Sequence, residues 1–302
     1  MTKPTYIISS SQAQSLAKSQ NKTIPELLPS LVKQAQDLAR PPISKFHVGT
    51  VGLSSDGRVF FGANIEFPGL PLHHSIHAEQ FLITNVALHG GGPKLLYMAV
   101  SAAPCGHCRQ FLQELRDVAR TMIMITNGGG DDHGEYRPIG DILPHPFGPF
   151  DLLDQEMPLV LEEHKNVLTL NGETENLRNL TNGYLELAKK NDGLLKSEAL
   201  AAARGSHAPY SGCPSGVALM DCDGNVYKGC YMESAAYNPS MMPVQAALVA
   251  YIVGGGGGYD RIVAAVLVEK EGEGVMVRQE DTARLLLKHI SPKCELRVFH
   301  CI

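Results

Sequence analysis

Two short segments constrain this chain more than any others: His77-Ala78-Glu79-Gln80 and Pro104-Cys105-Gly106-His107-Cys108-Arg109-Gln110. Each reads as the opening of a helix. Ser75 can cap one that carries Ile76, Phe81, Leu82, Ile83 and Val86, and Pro104 precedes another with Phe111, Leu112, Leu115 and Val118. Between them, Leu95 to Val100 is an apolar run of buried-strand length. A strand ending at Ser101 carries Cys105 and Cys108 back towards the start of the first helix, so one imidazole and two thiolates meet at two helix N-termini. That donor set suits zinc. Three protein ligands leave the fourth tetrahedral position open, which is the catalytic arrangement. Glu79 stands two residues after His77, need not bind the metal, and is suited to moving protons beside it. A lone Cys-x-x-Cys can also be a redox pair or half of a structural zinc site. No second Cys-x-x-Cys completes a four-cysteine cage here, and a redox pair leaves His77-Ala78-Glu79 without a purpose.

The chain has 302 residues, enough for one large or two modest domains, and 44% hydrophobic content supports a real core. A net charge of −5 gives no electrostatic reason to bind nucleic acid or an anionic membrane. No run of apolar residues is long enough to span a bilayer. Met1 to Gln20 lacks acidic residues and is rich in Ser and Gln. A short irregular start followed by a helix is expected, with an organelle transit segment as the other reading. The seven cysteines show no secreted disulfide spacing. Those outside Cys105 and Cys108 read as buried thiols in a reducing, cytosolic compartment.

Along the chain, Thr23-Ile24-Pro25-Glu26 starts a helix that runs to Ala39. Val48 to Leu53 and Arg58 to Asn64 are strands around a turn at Ser54 to Gly57, and Thr121 to Thr126 is a further strand stopped by Gly128 to Gly130. The order αββαβαβ predicts one sheet with helices on both faces. The proline-rich stretch ending in Phe147-Gly148-Pro149 closes this first unit, and Asn171 to Asn176 reads as exposed linker.

The chain then repeats itself. A shift of 167 positions superposes Asp56-Gly57 on Asp223-Gly224, Ser44 on Ser211, Gly49 on Gly216, Gly62 on Gly229 and Glu66 on Glu233. We therefore expect a domain over 20–150, a linker over 151–180 and a second copy over 181–302. In that copy His77 falls near Pro243 and Glu79 near Gln245, and no Pro-Cys-x-x-Cys precedes its last helix, expected over Asp281 to His289. The second copy keeps the scaffold without the metal chemistry. Gly254 to Gly258 lacks the Lys-Ser/Thr of a phosphate loop and reads as a connection. With three ligands assigned, His47, His73, His74, His107, His133 and His145 read as ordinary histidines.

His-x-Glu followed by Pro-Cys-x-x-Cys is the known signature of zinc nucleobase deaminases, so the metal reading applies an established pattern. Over nearly its whole length the chain resembles cytidine deaminases of the homodimeric, two-domain type, on Asn64-Ile65-Glu66 and the two segments above. The resemblance implies an α/β fold of three αβα layers, duplicated in tandem with a catalytic first copy and a degenerate second. It implies hydrolysis of cytidine and deoxycytidine, one zinc ion per chain on His77, Cys105 and Cys108, and Glu79 as proton shuttle. It places Asn64 and Glu66 on the ribose hydroxyl, Phe46 against the pyrimidine, the Ala78 backbone on the base, and Phe147 in the pocket lining, with Arg109 tempering the thiolates. It also implies a homodimer in which Ala236 and Tyr237 of one chain complete the pocket of the other. Two rivals share the signature: a polynucleotide deaminase, against which the acidic balance stands, and a non-catalytic zinc-stabilised binding protein, against which Glu79 beside an open site stands.

Overall fold

The computed structural model describes residues 4–126, 134–171 and 185–302, and these form two compact units. The first comprises Met1–Glu162 together with Ser234–Pro239, and the second comprises Glu163–Glu233 with Ser240–Ile302. The expected glycine stop at 128–130, His133 and most of the expected linker at 171–176 lie outside the described residues.

The first unit begins with β1 (Ile7–Ile8) and α1 (Ser10–Ser19). Next comes α2 (Ile24–Gln36), opened by a capping box in which Thr23 and Glu26 satisfy each other's backbone N–H. Strands β2 (Gly49–Ser54) and β3 (Val59–Ala63) form a hairpin whose turn places Gly57 at φ +83°. Then follow α3 (Ala78–Leu88), β4 (Leu95–Val100), α4 (Gly106–Phe111), β5 (Met122–Ile125) and β6 (Arg137–Pro138). The sheet order is β1-β3-β2-β4-β5-β6, with β4 and β5 parallel.

Helices cover both faces of this sheet, and glycines set how closely they approach. Gly49 and Gly62 point to opposite faces, because Gly62 pairs with Thr50 and successive residues alternate sides. A Cβ on Gly49 would lie 2.3 Å from Gln36 N of α2, and one on Gly62 would lie 2.3 Å from Ala78 O of α3. The result is the three-layer αβα arrangement.

The second unit holds α5 (Leu185–Lys190), α6 (Asp192–Arg204), β7 (Ser215–Asp221), β8 (Val226–Cys230), α7 (Pro243–Val253), β9 (Ile262–Lys270), α8 (Glu280–Ile290) and β10 (Glu295–Cys301). Its sheet order, β10-β9-β7-β8, repeats β5-β4-β2-β3 of the first unit. The glycine contacts repeat too. Gly216 faces Ala203 N of α6 at 2.4 Å and Gly229 faces Ala247 N of α7 at 2.0 Å, each measured from an added Cβ.

Three details depart from the sequence reading. Position Ser75 does not cap α3; the N-cap is His77, whose N–H is accepted by Gln80 Oε1, and Ile76 instead bridges Ile65. After Pro104 the α-helix lasts only to Phe111 and then tightens into 3-10 turns at Leu112–Glu114 and Val118–Arg120, so Leu115 and Val118 are buried outside it. In the second unit the bridge Met232↔Met241 matches Ile65↔Ile76, and Met242 N–H donates to Gln245 Oε1 as His77 does to Gln80. The counterpart of His77 is therefore Met242, one residue before the expected position, and that of Glu79 is Val244.

Because Gly62 touches the first turn of α3 through backbone, Gly62→Ala should push that turn off the sheet. We expect a stability loss of about 1–3 kcal/mol or more, read by chemical denaturation. Unchanged stability would show that α3 is not seated by this contact.

Candidate active site

The ends of β4 and β5, which run parallel, and the starts of α3 and α4 lie together in the first unit. His77 is the N-cap of α3, Cys105 is the N-cap of α4, and Cys108 lies in the first turn of α4. Their donor atoms form a small triangle. Cys105 Sγ is 3.4 Å and Cys108 Sγ is 3.2 Å from His77 Nδ1, and the two sulfurs are 3.7 Å apart. A tetrahedral ion with Zn–S of about 2.3 Å and Zn–N of about 2.0–2.1 Å requires a sulfur–sulfur edge of about 3.8 Å and nitrogen–sulfur edges of about 3.5 Å. The triangle fits within a few tenths of an ångström, and the three side chains can hold a metal ion.

The electrostatics point the same way. Hydrogen bonds with Cys108 and His77 pull the Cys105 thiol down to about 3. The hydrogen bond with Cys105 and its own burial push Cys108 far up. The pair alone carries one negative charge, and a divalent cation is what allows both thiols to ionise. The bond with Cys105, supported by the charge on Glu79, raises His77. Glu79 is buried, with Oε2 3.3 Å from Cys108 Sγ, and burial raises its carboxyl against that hydrogen bond.

A pocket of about 440 Å³ opens beside the triangle. Of the residues expected there, Phe46, Asn64, Glu66, His77, Ala78, Glu79 and Cys105 line it. Phe46 is 60% exposed, so its ring is available to a ligand. Asn64 and Glu66 are held by hydrogen bonds to the adjoining loop. Asn64 Oδ1 accepts from Val48 N–H and its Nδ2 donates to Phe46 O. Glu66 Oε2 accepts from the N–H groups of Ile43 and Ser44 at 2.8 and 2.9 Å, and Oε1 accepts from Ser44 Oγ. Burial pushes the Glu66 carboxyl up, but these bonds outweigh it and hold it below the usual range. The two side chains thus brace the 43–48 loop that presents Phe46.

Other expected residues stand elsewhere. The Phe147 carbonyl accepts from Gln110 Nε2, but its half-exposed ring lies outside the lining of this pocket. Ala236 and Tyr237 belong to the segment Ser234–Pro239, which groups with the first unit. Ala235 N–H donates to Glu114 Oε1 at 2.7 Å, and Gln80 Nε2 donates to Pro239 O at 2.9 Å. Tyr237 adopts φ +61°, is 66% exposed, and does not line the pocket of its own chain. Arg109 donates to Pro104 O and Ile142 O, so its guanidinium braces the turn that carries Cys105. The sequence reading did not single out Ser44, Leu72, Ala102 or Ala103 as pocket residues. Only Ser44 carried a signal, through its repeat at Ser211.

The family models that match this chain are described as zinc-binding, which the donor triangle is suited to be. Residues 22–125 and residues 139–284 each match a family model described as the cytidine and deoxycytidylate deaminase zinc-binding region. Cytidine deaminase 1 of Arabidopsis thaliana is 58% identical over 309 residues, covering 100% of this chain and 99% of its own. Cytidine deaminase of Serratia proteamaculans is 38% identical over 258 residues, covering 85% and 77%. The crystal structure of cytidine deaminase from Mycobacterium tuberculosis aligns at 33% identity over 41% of this chain and 96% of its own, with a TM-score of 0.34.

Exhaustively dialysed protein should retain one zinc ion per chain by elemental analysis. Cys105→Ala should release it and lower the stability of the first unit, since metal-binding energy is also folding energy. Retention of zinc by Cys105→Ala would remove that side chain from the ligand set.

Proposed function

The chain belongs to the cytidine deaminase family, and on that premise we propose that its first unit hydrolyses cytidine and deoxycytidine to uridine and deoxyuridine plus ammonia, a step of pyrimidine salvage. The observation that carries this reading is the buried Glu79 carboxylate, beside three metal-ligating donors and facing a pocket of nucleoside size. His77, Cys105 and Cys108 hold the zinc. When bound, zinc supplies a Lewis acid that makes a water nucleophilic near neutral pH.

The chain's own residues do the rest. Phe46 packs on the pyrimidine, the Ala78 backbone orients its edge, and Asn64 and Glu66 receive the ribose hydroxyl. The Glu66 oxygens already accept bonds from the 43–44 backbone, and a carboxylate has acceptor capacity left for a hydroxyl. Glu79 takes a proton from the attacking water and places it on N3 of the base, which makes C4 electrophilic. The water oxygen bonds to C4, and Glu79 then carries the remaining proton from the new C4 hydroxyl to the 4-amino group; the C4–N bond breaks as the C4 carbonyl forms, and ammonia leaves. The burial that raises its carboxyl brings it nearer the working pH of a shuttle. The second unit has Met242 and Val244 where His77 and Glu79 stand, and it takes no part in this chemistry.

The working form is a homodimer in which Ala236 and Tyr237 of one chain complete the partner's pocket. Tyr237 supports this by being largely exposed while attached to the first unit and absent from its own pocket. Phe147, also exposed and outside its own chain's pocket, fits the same boundary. The seven unpaired cysteines suit the cytosol. Among the described residues no helix is long and apolar enough to cross a membrane. The net charge of −5 disfavours nucleic acid as substrate, and the Glu66 carboxylate disfavours a 5′- or 3′-phosphate in the sugar pocket.

Loss of ultraviolet absorbance on mixing with cytidine tests the activity. Glu79→Gln should keep zinc and fold yet lose at least about 10²–10⁴-fold in turnover, and CMP should be a poor substrate for the parent. Near-normal turnover in Glu79→Gln would remove Glu79 from the mechanism, and equal efficiency on CMP would favour a nucleotide deaminase.

For the shared pocket, Glu79→Gln chains mixed with chains altered at Tyr237 should regain activity on subunit exchange, because one pocket of the heterodimer receives both native residues. Heterodimers as inactive as their parents would place Tyr237 outside the partner's site.

A further inference from the structure

The second unit lacks the zinc triad, yet the matching place in its sheet carries chemistry of its own. Strand pairing fixes the correspondence: Thr50 faces Val100 in the first unit as Val217 faces Leu267 in the second. Ala102, on the wall of the first unit's pocket, therefore has Glu269 as its counterpart at the end of β9. Strands β9 and β10 run parallel, with His300 directly opposite Glu269. Helix α8 begins at Glu280, and Gln279, at its N-cap, donates its N–H to Glu269 Oε2 at 2.7 Å. The ends of two parallel strands and the start of the following helix thus bring two carboxylates and an imidazole together. Their donor atoms all lie within 4.8 Å of one another.

One buried atom in this cluster lacks a hydrogen bond. Glu269 has no solvent exposure, and its Oε1 accepts no hydrogen bond. That oxygen points at the cluster, 4.0 Å from His300 Nδ1. Leaving a buried carboxylate oxygen without a donor is costly. Arg278 gives only partial relief. Its Nη1 lies 3.6 Å from Oε1 and 3.4 Å from His300 Nδ1, and its Nη2 lies 3.7 Å from Glu271 Oε2. The Arg278 side chain is half exposed. Glu280 Oε1 accepts from Arg284 Nε at 2.7 Å, an exposed pair of small energetic weight.

The geometry points to a second divalent-metal site in the degenerate unit, formed by Glu269, Glu280 and His300 and taking a transition ion such as Zn²⁺ or Co²⁺ through one imidazole and two carboxylates. It binds more weakly than the first site. It offers no thiolate, two of its ligands are partly exposed, and Arg278 must yield. It therefore fills on addition of metal and empties on dialysis, while the His77, Cys105 and Cys108 site keeps its zinc. An ion there ties β9, β10 and α8 together and stabilises the second unit by mass action.

The test is a titration of full-length, zinc-loaded, dialysed protein with Co²⁺, followed by calorimetry and visible absorption. One further equivalent should bind. It should show weak d–d bands without a sulfur-to-cobalt charge-transfer band, because its ligands are oxygen and nitrogen. Glu280→Gln and His300→Gln, both at partly exposed positions, should each abolish the second equivalent and leave first-site zinc and cytidine turnover unchanged. Glu269→Gln should do the same. The proposal is overturned if the parent binds no further equivalent. It is equally overturned if the further equivalent survives Glu280→Gln and His300→Gln, or if it shows the sulfur band.

Discussion

The chemistry of this protein depends on how closely a helix can lie on a sheet. At Gly62 the first turn of α3 rests on β3 with no side chain between them, and Ala78 O occupies the space a Cβ would need. That contact sets the height of the helix start, and the helix start carries His77, Ala78 and Glu79. The parallel pair β4 and β5 aims the following turn at the same place, where α4 opens with Cys105. A displacement of an ångström at Gly62 would move one donor relative to the other two, and a metal site tolerates little of that. Packing and catalysis are one constraint here.

Duplication separates scaffold from chemistry. The second unit keeps the glycine contacts, the strand order and the Gln245 bond to the helix cap. It also keeps the carboxylate brace: Glu233 Oε2 accepts from Tyr210 and Ser211 N–H and Oε1 from Ser211 Oγ, as Glu66 does with Ile43 and Ser44. A feature retained where Met242 and Val244 stand at the places of His77 and Glu79 belongs to the architecture. The Glu66 brace is therefore independent of any substrate. A carboxylate that fixes a loop with three hydrogen bonds holds the aromatic Phe46 in place.

The segment Ser234–Pro239 shows a different use of the second copy. By sequence it continues the strand that ends at Cys230, and in space it groups with the first unit. Glu114, fully buried, accepts from Ala235 N–H, and Gln80, next to Glu79, donates to Pro239 O. A stretch that lies within the second repeat by sequence thus supplies backbone to the first unit.

The donor set, the repeat and the approximate places of most strands and helices were legible in the residues alone, because each rests on local rules. His-x-Glu and Pro-Cys-x-x-Cys are fixed by the number of bonds between ligands, strands by short apolar runs, and the start of α2 by a capping box. Tertiary structure decided the rest. The cap of α3 passed from Ser75 to His77 because Ile76 is drawn into a bridge with Ile65. The helix after Pro104 stopped at Phe111 although its apolar spacing continued, and periodicity does not distinguish an α-turn from the 3-10 turns that follow. The braces at Asn64 and Glu66, the place of Ser234–Pro239, and the meeting of Glu269, Glu280 and His300 join residues far apart in the chain. No local rule encodes such pairings, since strand register and helix seating exist only once the sheet has formed.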